Sequence, residues 1–175
     1  FTTDEEVGLL GANVLDYSKL DGRLMLNLDS EDEGIATVSC AGGMDYTMTR
    51  ALTRETLSGE TVTFDVKGLL GGHSGTDIDL GRTNADKLIA RAVLAVLKDK
   101  DARLVSFVGG TKGNAIPREA EAVLWFPTAD KAAAAEDTLK ALGDAFTHEI
   151  HALEPGIDVT VTRAAANDIS VMSRE

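Results

Sequence analysis

Three consecutive carboxylates, Asp4-Glu5-Glu6, and a further one at Asp29 are the residue types in this chain best suited to acid–base or metal chemistry. Residues 1–3 and 23–28 read as strands, with a helix over residues 5–20 between them. Such a βαβ unit would set Glu5, Glu6 and Asp29 at the carboxyl ends of neighbouring parallel strands, where open α/β sheets build their sites. Two carboxylates there suit a divalent metal, and a third suits a general base. A second reading stands beside the first: Asp4 caps the helix, and Glu5 and Glu6 offset its dipole from the first turn.

The glycine-rich stretch Gly68-Leu-Leu-Gly-Gly-His-Ser-Gly75 is the next candidate. It fits neither G-x-G-x-x-G nor a phosphate loop ending in Gly-Lys-Ser/Thr. It does hold His73 among small neighbours, so backbone and imidazole could approach a ligand closely; an exposed turn histidine is the alternative. Asn114, ahead of Ala-Ile-Pro117, is open in the same way between a turn former and a side-chain amide aimed at substrate. His148 and His151 are three residues apart and lack the four-residue spacing of H-E-x-x-H, so they read as a solvated helix end. Cys40 reads as a small buried residue, and Trp125 and Phe126 as strand core.

The elements that must position these groups follow from periodicity. Residues 36–40 and 44–50 read as strands around the turn 41–43, and residues 61–66 alternate with period two, as a half-buried strand does. Residues 84–97 repeat apolar side chains on one helical face, residues 104–108 and 120–126 read as strands, residues 130–153 as a helix and 157–161 as a last strand. From residue 60 the order is β-α-β-β-α-β, the ferredoxin-like pattern of an antiparallel four-stranded sheet with two helices on one face. The fold class is therefore α/β: a ferredoxin-like α+β lid over residues 37–175, preceded by a βαβ remnant of an α/β domain in residues 1–36.

Composition bounds the function. The 175 residues carry a net charge of −12 and 43% hydrophobic residues, an ordinary globular make-up with enough length for a real core. The acidic balance argues against nucleic acid and anionic membrane as partners, and no apolar run is long enough to span a bilayer. A single cysteine excludes an internal disulfide framework and fits a reducing, cytoplasmic compartment. The chain starts at Phe1 with no signal-like segment, and is expected to be a piece of a longer protein.

Read in order, Thr2-Thr-Asp-Glu-Glu-Val-Gly8, Asp29-Ser-Glu-Asp-Glu-Gly34, Cys40-Ala-Gly-Gly43, Gly71-Gly-His-Ser-Gly75 and Asn114-Ala-Ile-Pro-Arg-Glu119 resemble the Xaa-His dipeptidases. These form a branch of the dinuclear-zinc peptidase family that includes carnosinases, aminoacylases and glutamate carboxypeptidases. The resemblance implies hydrolysis of dipeptides of Xaa-His type with broad specificity. It implies that Glu5 is the general base, Glu6 and Asp29 are zinc ligands, His73 binds substrate and stabilises the oxyanion, and Asn114 contacts substrate. It also implies two zinc ions in the intact enzyme, a dipeptide substrate, and a lid through which a homodimer could form. The family's His-x-Asp segment, bridging Asp and downstream His have no counterpart here, so the chain alone is expected to be inactive and to retain no zinc pair. Asp77 and Asp79 match nothing and receive no role. Two rivals remain: another member of the same family, an aminoacylase or carboxypeptidase, or a non-catalytic ferredoxin-like module that binds a small ligand or dimerises.

Overall fold

The alternation at residues 61–66 extends in both directions to give β1 (Arg54–Lys67), which turns Val62, Phe64 and Val66 to one fully buried face. In the computed structural model the described residues are 2–5, 7–26, 28, 33–39, 44 and 46–174. They divide into two compact units, Phe1–Thr47 and Met48–Glu175.

The second unit is built on β1, β3 (Arg103–Gly109), β5 (Ala120–Phe126) and β6 (Asp158–Met172), with the two-residue strands β2 (Gly72–His73) and β4 (Ala115–Ile116) as a separate ladder. The large sheet runs β3-β5-β1-β6 and every pairing is antiparallel. With α2 (Ala85–Val96) between β1 and β3, and α3 (Ala129–Ile150) between β5 and β6, this is the expected β-α-β-β-α-β arrangement.

Both long helices start where the sequence offers a cap. The Asn84 side chain accepts from the Lys87 amide at 3.2 Å, and Thr128 accepts from the Lys131 amide at 3.4 Å. Leu88, Ile89, Ala92, Val93 and Val96 form the apolar stripe of α2; Ala132, Ala135, Leu139, Phe146 and Ile150 form that of α3. Both stripes close on the inner side of the sheet, where Phe64 meets Phe146 edge to face with centroids 6.4 Å apart. Arg91 of α2 lies 4.4 Å over the Phe146 ring and pairs with Glu149 of α3 at 2.8 Å, strapping the helices together outside the core.

Strands β1 and β6 are longer than periodicity indicates. Their register slips between Leu57 and Gly59, and beyond that bulge the Arg54 guanidinium donates to the Val105 carbonyl of β3 at 2.7 Å. Trp125 and Phe126 are buried, as expected of strand core.

The first unit departs from expectation. Helix over residues 5–20 is reduced to α1 (Leu10–Asn13) and a 3-10 turn at Tyr17–Lys19, because Gly8 and Leu9 both take positive φ and interrupt it. No strand forms at the described residues among 23–28, nor among 36–50, and Leu24, Met25, Leu26 and Leu28 are exposed. A strand needs a hydrogen-bonded neighbour, and among the described residues none precedes β1. Phe1, Glu6, Asp29 and Cys40, with the turn 41–43, lie outside the described residues.

Candidate substrate-contact site

The connection from β1 to α2 and the connection from β3 to β5 meet at one end of the second unit. Their meeting is the β2–β4 ladder, in which Gly72 pairs with Ile116 and His73 with Ala115. The Ser74 amide extends it by donating to the Asn114 carbonyl at 2.8 Å. Two sequence candidates 41 positions apart, His73 and Asn114, thus stand side by side on exposed backbone.

His73 is fixed by its own turn. Its amide donates to Asp77 Oδ2 at 2.8 Å, and its carbonyl accepts from the Asp77 amide at 3.1 Å. The imidazole Nδ1 accepts from the amides of Gly75 at 3.0 Å and Thr76 at 3.2 Å. Gly72 has φ +149°, and Asp77 Oδ2 lies 2.7 Å from where a Cβ would stand, so this glycine gives the carboxylate its place.

Farther back, Glu154 anchors both ends of the segment. Its side chain is completely buried; Oε2 accepts from the Leu70 amide at 2.7 Å and Oε1 from the Thr83 amide at 2.8 Å. A buried carboxylate is costly unless its oxygens are met by donors, and these two amides are also left by the loop without a strand or helix partner. Arg82 donates to the Gly71 carbonyl at 2.8 Å, and the Leu69 amide donates to the Arg118 carbonyl at 3.3 Å. Beside β4 an open groove of about 670 Å³ runs past Lys67, Gly109, Gly110, Pro117 and Arg118. Hydrogen bonding to Asp65 holds the Lys67 ammonium above its ordinary pKa, so this side chain faces the groove charged.

Asp86, in the first turn of α2, packs against Gly109, where any side chain would collide with Asp86 Oδ1. That oxygen is buried with no hydrogen-bond partner among the described residues, and desolvation raises the carboxyl's pKa.

Glu5 lies in the other unit, in a turn whose carbonyl accepts from the amides of Gly8 at 3.2 Å and Leu9 at 3.0 Å. The capping alternative is not realised there: α1 starts at Leu10, Leu9 is its N-cap, and no acidic residue occupies its first turn. Glu6 and Asp29 lie outside the described residues. Among the described residues no group of three His, Cys, Asp or Glu side chains is placed to hold a metal ion. His148 and His151 sit at the exposed end of α3. Sequence reasoning missed Glu154, whose partners are 84 and 71 positions away, and Asp77, for which the four-residue spacing from His73 was the available signal.

Comparison with known proteins places this geometry. Residues 64–155 match the family model described as peptidase dimerisation domain. The chain is 43% identical over 143 residues to the cytosol non-specific dipeptidase of Escherichia coli, covering 81% of this chain and 28% of that protein. The solved aminoacylhistidine dipeptidase of Vibrio alginolyticus superposes with a TM-score of 0.73 at 36% identity, covering 99% of this chain and 35% of that one. The chain thus spans about a third of the length of these relatives. With the matched segment running from mid-β1 to the turn after α3, through the entire His73–Asn114 ladder, the chain belongs to the peptidase dimerisation domain family.

Proposed function

We propose that this chain is part of a metal-dependent dipeptidase, with residues 37–175 as its lid domain and residues 1–36 as part of its catalytic domain. The observation that carries the reading is the β2–β4 ladder, which sets His73 opposite Ala115 and the Ser74 amide on the Asn114 carbonyl, within a chain 43% identical to a cytosolic dipeptidase. The proposed substrates are dipeptides of Xaa-His type with broad specificity, and the proposed compartment is the cytoplasm. The lid is proposed to form a homodimer, in keeping with the family's description.

In this reading Glu6 and Asp29 would supply two ligands to a pair of zinc ions, which when bound would polarise the scissile carbonyl and activate water. The remaining ligands are proposed to come from the rest of the intact protein. Glu5 takes a proton from the attacking water as its oxygen bonds to the carbonyl carbon. The same proton then passes to the departing amine as the C–N bond breaks. His73 donates to the carbonyl oxygen as negative charge develops there, and the Asn114 side-chain amide orients the substrate.

The test is made in the intact protein that contains this chain. Glu5→Gln keeps the shape but removes basicity, so dipeptide hydrolysis should fall by at least about 10²–10⁴-fold while metal content stays constant. Glu6→Gln should lower metal content instead, with partial recovery in added zinc. Metal loss in the first variant and retention in the second would exchange the two roles, and full activity in both would end the reading.

A further inference from the structure

His73 can serve as a hydrogen-bond donor only if its proton is on the ring nitrogen that faces outward. The turn decides this. Nδ1 accepts two backbone amides, from Gly75 at 3.0 Å and Thr76 at 3.2 Å, and a nitrogen accepting such bonds carries its lone pair in the ring plane and no proton. The neutral ring must then be protonated on Nε2. Neither nitrogen of that tautomer has a lone pair to spare for a metal ion or for a substrate proton, whereas Nε2–H suits a carbonyl or carboxylate oxygen.

The amides of Gly75 and Thr76 reach Nδ1 because the turn is closed from below. Asp77 accepts the His73 amide at 2.8 Å and returns its own amide to the His73 carbonyl at 3.1 Å, a reciprocal pair across four residues. Gly72 leaves the space that the carboxylate fills, 2.7 Å from the missing Cβ position. At Gly75 a Cβ would stand 3.2 Å from Nδ1 and Cε1, so the ring is also packed directly onto this glycine.

From this geometry we infer that Asp77 is a positioning residue, which with the Gly75 and Thr76 amides locks His73 in the Nε2–H tautomer and commits it to donating toward a substrate oxygen. The inference deepens the proposed role of His73 and rests on it for its meaning, though its test does not require hydrolysis.

The full chain, labelled with ¹⁵N, is read by long-range proton–nitrogen correlation of its histidine rings, and His73→Asn assigns the His73 signals by their disappearance. Wild-type Nδ1 should resonate as an unprotonated nitrogen and show scalar coupling across a hydrogen bond to the Gly75 or Thr76 amide nitrogen. Asp77→Ala should abolish that coupling and leave the ring averaging between tautomers. Asp77→Asn keeps a carbonyl acceptor for the His73 amide and should restore the wild-type pattern. A protonated Nδ1 in the wild-type chain overturns the inference whatever the variants do, and so does an Asp77→Ala spectrum identical to wild type. Neither result would touch the dipeptidase reading, which is judged by the Glu5 and Glu6 variants.

Discussion

Replacing Glu154 should do more damage than its position after the end of a helix would suggest. The carboxylate is fully buried and meets two backbone amides, Leu70 at 2.7 Å and Thr83 at 2.8 Å. Hydrogen bonds to a charged partner are worth about 1.5–3 kcal/mol each, and leaving a buried donor unmet costs about 1–3 kcal/mol. Glu154→Ala removes both acceptors; part of the loss is offset because a charge no longer has to be desolvated, leaving about 2–5 kcal/mol of destabilisation. Glu154→Gln keeps one acceptor oxygen but turns an NH₂ toward the other amide, so it should lie between, at about 1–3 kcal/mol. Denaturant unfolding of the chain gives the magnitudes, and hydrogen exchange at the Leu70 and Thr83 amides shows where they arise. Both amides should exchange faster in Glu154→Ala, while Val62 and Phe64 at mid-strand should slow or quicken only with global stability. Unchanged midpoints together with unchanged exchange at Leu70 and Thr83 would show that Glu154 does not hold these amides.

Other outcomes follow from the same structure. Asp86 has its pKa raised by desolvation, so ionising it penalises the folded state above that pKa. The penalty fades as pH falls through the raised value toward the ordinary carboxylate range, so in that interval wild type should gain stability relative to Asp86→Asn; parallel pH profiles of the two would contradict this. Asn84→Ala removes the α2 cap and should cost about 1 kcal/mol in unfolding experiments, with Asn84→Asp costing far less. The chain by itself should hydrolyse no dipeptide and keep no pair of zinc ions through dialysis, since two carboxylates without imidazole partners make a weak zinc site; two zincs per chain after dialysis would say otherwise.

The fold was legible where packing repeats locally. Strand-like composition placed β3 and β5, and helical spacing placed α2 and α3, to within a few residues; α2, α3 and β5 each bury a face against the same core. The full length of β1 and β6 was not legible, since their outer arms are held by pairing with each other around the Leu57–Gly59 slip rather than by an alternating apolar face. Residues 36–39 and 46–50 have strand-like composition but no ladder partner among the described residues, so composition alone misled. At the site, His73 and Asn114 announced themselves through glycine-rich and Asn-x-Ile-Pro contexts. Their adjacency depends on a two-residue ladder with no periodic signature, and Glu154 acts through tertiary bonds that no local pattern records.

In the proposed dipeptidase, His73, held beside Asn114, donates to substrate. The most direct test of this is steady-state hydrolysis of an Xaa-His dipeptide by the intact protein carrying His73→Asn, with metal content measured on the same sample. Loss of one preorganised donor to a developing oxyanion costs about 10²–10³ in kcat, and a fall of that size is expected with metal content unchanged. A kcat equal to wild type, or a loss that tracks departure of metal, would contradict it.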